Sequence, residues 1–115
     1  MTIRIDDVHQ LNFADLHFTE LKKSISKEIY GKEVDFNDEE MLAKLKSRTN
    51  AAMFKLLTSK GSFKLTLNQC TKVKSVLDTI QIHRRTQESE YNQLMKMLKD
   101  FITTAIEMKL GVEFI

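Results

Sequence analysis

The chain is predicted to be all-α: a single helical domain over 1–115. Three or four helices pack as a helical bundle, the last being a long C-terminal helix or a helical hairpin, with room for very short β pieces at the ends. Three observations carry this. There is no proline, and only three glycines stand among 115 residues, so the usual punctuation of sheets and loops is sparse. Polar caps precede apolar runs at several points. From Thr66 to Leu110, apolar residues recur at alternating steps of three and four, the spacing of a helical seam facing a partner.

The elements follow in order. Thr2 to Ile5 alternates polar and apolar and suits a short strand or an arm. Asn12 reads as a helix N-cap, with Asp15 three residues on. Ala14, Phe18, Leu21, Ile25 and Ile29 then make one apolar stripe. Gly31 sits where a left-handed residue closes a helix, so the first helix is expected over 13–30.

Asn37, followed by Asp38, Glu39 and Glu40, reads as a second helix start. Its acids lie at the positive end of the helix dipole. Met41, Leu42, Leu45, Ala52, Met53, Leu56 and Leu57 form a broad apolar face, which predicts one helix over 38–59 closed by Gly61. Ser62 to Leu67 and Val112 to Ile115 alternate again. With Thr2 to Ile5 they could form a small sheet joining the termini to the middle loop.

Thr66 with Gln69 makes a capping box that opens the long stretch. Two architectures compete beyond it. One continuous helix over 67–109 would be roughly 65 Å long, more than a chain of this size can cover, so its seam would need a second chain. A break near Thr86 would instead give four helices of similar length. The continuous helix is the favoured reading, because 81–93 holds only good or tolerable helix formers. The seam runs through Cys70, Val73, Leu77, Ile80, Tyr91, Leu94, Leu98 and Phe101. Arg84 and Gln87 form a polar waist that would set register.

Net charge is +2, but it is unevenly placed. Met1 to Glu40 balances to −5, Met41 to Arg85 to +9, and Thr86 to Ile115 to −2. A basic middle between acidic ends suits either a polyanion or the acidic part of a neighbouring helix or subunit. Lys44, Arg48, Lys72, Lys74, His83, Arg84 and Arg85 are the candidate anion-binding set.

Catalytic signals are weak. The histidines His9, His17 and His83 have no spacing that would share a metal, and the glycines are isolated. The lone cysteine, Cys70, lies on the apolar seam and reads as a buried small hydrophobe. No apolar run approaches the roughly 20 residues of a membrane span, and Met1 to Asp7 lacks a signal-peptide core. The expectation is therefore a cytoplasmic, non-enzymatic binding protein without cofactor, metal or membrane partner. It would be a regulator, adaptor or inhibitor that forms a homo-oligomer through the 66–110 seam and acts on a protein partner. The alternative is a nucleic-acid or phosphate-ligand protein using the basic 41–85 section.

Overall fold

The computed structural model describes residues 1–31, 35, 37–80 and 89–115. It overturns the all-α expectation. Five helices are joined by a four-stranded antiparallel sheet, so the fold is mixed α and β. The strands are β1 (Thr2–Arg4), β2 (Gln10–Asn12), β3 (Phe63–Leu65) and β4 (Val112–Phe114). The helices are α1 (Asp15–Tyr30), α2 (Glu39–Arg48), α3 (Ala51–Thr58), α4 (Leu67–Leu77) and α5 (Ser89–Glu107).

The sheet order is β2-β1-β4-β3. The three alternating segments are all strands, because each finds the others. Ile3 lies opposite both Leu11 and Phe114, and Phe63 lies opposite Phe114. Side chains alternate across a strand, so the sheet separates into two faces. Ile3, Leu65, Val112 and Phe114 are buried toward the helices. The other face carries Thr2, Arg4, Gln10, Asn12, Lys64 and Glu113. There Glu113 pairs with Arg4 at 3.2 Å and Lys64 at 3.6 Å, one acid tying three strands. Phe63 stacks on Phe114 with ring centroids 4.4 Å apart, and Phe114 in turn meets Phe18 of α1 at 6.0 Å. These contacts fasten the helical layer to the sheet. The outer edge of β3 is partly covered, since Lys55 Nζ donates to the Lys64 carbonyl at 2.7 Å.

Local chemistry explains the remaining departures. Asn12 belongs to β2 and caps nothing; α1 begins after Ala14, which makes no side-chain cap bond. Gly31 does close α1, at φ 89°. Asp38, not Asn37, caps α2 by accepting from the Met41 amide at 3.0 Å. The expected helix over 38–59 is two helices, because Thr49 and Asn50 turn extended and Asn50 caps α3. Asn prefers such a cap to a helix interior, and the apolar face continues across the break.

The capping box of Thr66 and Gln69 opens α4 with both of its hydrogen bonds formed. The long stretch is not one helix. Lys99 Nζ stands 3.5 Å from Asp78 Oδ1, whereas an unbroken helix would hold residues 21 apart at roughly 31 Å. α4 and α5 are therefore separate helices, and they pack on each other. The expected break at Thr86 lies outside the described residues, as do His83, Arg84, Arg85 and Gln87.

Candidate functional site

The seam residues have a use within one chain. Cys70, Val73, Leu77 and Leu98 are fully buried, and Ile80 is nearly so. Tyr91, Leu94 and Phe101 are half-buried and packed against the same core. The three-four spacing thus builds the α4–α5 contact and part of the main core. Burial pushes the Cys70 thiol above its usual range, as expected of a small hydrophobe.

Two hollows remain. The first, of about 630 Å³, lies where α1, the α2–α3 junction and α4 meet. α1 supplies Glu28 and Ile29 from its last turns, the junction supplies Arg48 and Thr49, and α4 with the turn after it supplies Ser75, Val76, Thr79 and Ile80. Asn50 builds this arrangement. Its side-chain oxygen caps α3 through the Met53 amide at 2.9 Å, while its Nδ2 donates to the Lys72 carbonyl at 3.0 Å. The junction is thereby clamped to α4. Ser75 and Thr79 lie one turn apart, on one side of α4 and its continuation.

The polar groups of this cavity differ in what they have left to offer. The Ser75 hydroxyl donates to the Lys72 carbonyl at 2.8 Å and Thr79 to the Val76 carbonyl at 2.6 Å, so both retain lone pairs. Thr49 Oγ1 is shut from solvent, with no hydrogen-bond partner among the described residues. Arg48 lies with its guanidinium 5.7 Å over the Tyr30 ring and has no ion pair among the described residues.

The second hollow, of about 410 Å³, runs between α1 and α5. It is lined by Leu16, His17, Glu20, Leu21, Ser24, Tyr91 and Leu94. Leu16 beside it is 69% exposed.

Of the basic set, His83, Arg84 and Arg85 lie outside the described residues. Lys44 pairs with Glu40 at 3.1 Å and Lys74 with Asp78 at 2.6 Å. Lys72 is exposed, and of the set's described members Arg48 lines the 630 Å³ cavity. His9 turns to Asp6, whose carboxylate its hydrogen bonds hold below the usual range. Among the described residues no group of three or more His, Cys, Asp or Glu could hold a metal, and no helix is long and apolar enough to cross a membrane.

Thr49, Ser75 and Thr79 were not visible as site residues in the sequence, because hydroxyls inside helical runs carry no motif. The pair Thr49–Asn50 was the available signal: a capping dipeptide in the middle of an expected helix. Leu16 was missed because it falls off the stripe of its helix. Comparison with protein-family models, with curated proteins and with solved structures finds no match.

Proposed function

We propose that the chain is a non-enzymatic binding protein that pairs with a second copy of itself along the α1–α5 edge. The observation that carries this is Leu16, 69% exposed beside the hollow that Leu21, Tyr91 and Leu94 line. An exposed apolar knob beside a partly apolar hollow on one patch is what a two-fold interface needs, since each copy must supply both halves of the fit. Leu94 and Met97, three residues apart on α5, extend the patch, and Met97 is 36% exposed. Large exposed apolar residues gathered on one edge mark an interaction surface more often than residues scattered singly. This keeps the expectation of self-association but moves its surface. The inner side of the former seam serves the core, and Leu94 on its outer flank lines the hollow at the α1–α5 edge.

Sedimentation velocity over a concentration series tests the reading. A dimer is expected at high micromolar concentration, and Leu16→Glu should return a monomer with unchanged helical circular dichroism. A wild-type chain that stays monomeric there, or a dimer indifferent to Leu16→Glu, would remove it.

A further inference from the structure

We infer that the cavity of about 630 Å³ at the α2–α3 junction is a binding site for a small, singly charged organic carboxylate bearing an O–H or N–H donor. The inference stands apart from self-pairing, because the cavity lies away from the α1–α5 edge. The volume falls within the range of roughly 300–1,000 Å³ usual for small-molecule pockets.

The donors define one end of the ligand. Arg48 reaches the cavity laid over Tyr30, and its planar fork has no ion pair among the described residues. Such a fork matches a carboxylate in two parallel hydrogen bonds. Thr49, the next residue, holds a buried hydroxyl with no partner among the described residues. A buried unsatisfied hydroxyl is costly, and it calls for a partner that completes it. A turn of the Thr49 side chain toward the cavity would let a carboxylate oxygen on Arg48 accept from it as well.

The acceptors define the other end. Ser75 and Thr79 have spent their protons on backbone carbonyls, so their lone pairs favour a ligand donor and disfavour a second anionic group. Glu28 lines the same cavity and would repel further negative charge. A polyphosphate or nucleic-acid backbone would meet one cation and one acid, whereas a single carboxylate needs only the fork of Arg48. Ile29, Val76 and Ile80 supply apolar wall for the body between the two ends.

The test is amide chemical-shift titration of the full chain with 4-hydroxybenzoate, benzoate, 4-hydroxybenzyl alcohol and inorganic phosphate. The hydroxybenzoate should move the amides of Thr49, Ser75 and Thr79 with millimolar affinity or better. Benzoate should bind several-fold more weakly, and the uncharged alcohol should leave those amides still. Arg48→Gln should weaken hydroxybenzoate by about tenfold, the loss of one charge-assisted contact. Arg48→Lys, which retains charge over Tyr30, separates loss of the fork from loss of fold, and unfolding midpoints of each variant check the latter. The inference is overturned if no carboxylate shifts those amides, if phosphate binds there more tightly, or if folded Arg48→Gln binds as the wild type does.

Discussion

The side chain of Asn50 holds two helices at once. Its oxygen caps α3 at the Met53 amide and its nitrogen reaches the Lys72 carbonyl of α4, at 2.9 and 3.0 Å. Replacing it with alanine removes a cap and an interhelical bond together. Asn50→Ala should cost about 2 kcal/mol by urea unfolding, and Asn50→Asp, which retains only the cap, about half of that. Equal stability of all three proteins would mean that the clamp contributes nothing.

Gly111 is required for closeness rather than for a special backbone angle. A Cβ there would lie 2.4 Å from the Leu65 carbonyl oxygen and 3.3 Å from Thr66 Cα, both backbone atoms of the β3–α4 passage. Gly111→Ala should therefore destabilise by about 1–3 kcal/mol, the usual range for overpacking. At Gly61 nothing lies within 4 Å of the same added atom, so Gly61→Ala is the matched control in thermal unfolding.

Lys22 is 8% exposed, donates to the Ser59 carbonyl at 3.2 Å and lies 5.2 Å from the Phe18 ring centre. Burial lowers its pKa from the ordinary lysine value. The unfolded chain then binds more protons than the folded one, from the lowered native pKa up to the unfolded value of about 10.4. Stability contributed by this group consequently rises with pH across that window. The difference in unfolding free energy between wild type and Lys22→Met should grow in favour of wild type from pH 8 to pH 10. Parallel profiles would contradict the burial.

Asp78 works in the same sense, at the acid end of the range. The Lys74 hydrogen bond, helped by the charge of Lys99, holds its carboxyl below the usual range. Its contribution is present above the unfolded pKa of about 3.9 and is lost as pH falls through the lowered native value. Asp78→Asn should flatten the acid limb of the stability profile. Because the pair is largely exposed, its cost at neutral pH should stay within about 1 kcal/mol.

Cys70 is fully buried, and burial raises its pKa. Ellman's reagent should leave the native chain unlabelled and modify the thiol fully in urea. Rapid labelling without denaturant would show that the α4 face opens.

Much of the helical layer could be read from residues, because its signals are local. Gly31 at a helix end and Thr66 with Gln69 at a helix start act on backbone groups within four residues, and they behave as their chemistry requires. The sheet is harder to read for the converse reason. Three residues of alternation carry little information, and what stabilises Ile3 as a strand residue is Phe114, at the other end of the chain. The seam misled for a related reason: the spacing of Cys70 to Phe101 states that an apolar face exists but not which chain covers it. The cavity was least legible, since Arg48 and Thr49 acquire their meaning only when Asn50 breaks the helix and presents them to Ser75 and Thr79.

The pairing of β1 with β4 also determines how the fold meets mechanical force. Thr2 and Ile115 exchange backbone hydrogen bonds of 3.2 and 2.8 Å, so the two ends of the chain lie side by side in the middle of the sheet. Antiparallel ladder bonds run perpendicular to the strands. Tension applied at the two ends therefore pulls along those bonds and loads them one after another, as in opening a zipper, instead of shearing them together. Pulled from its ends, the protein should yield at low force, with its central strand pair parting before any helix is drawn out.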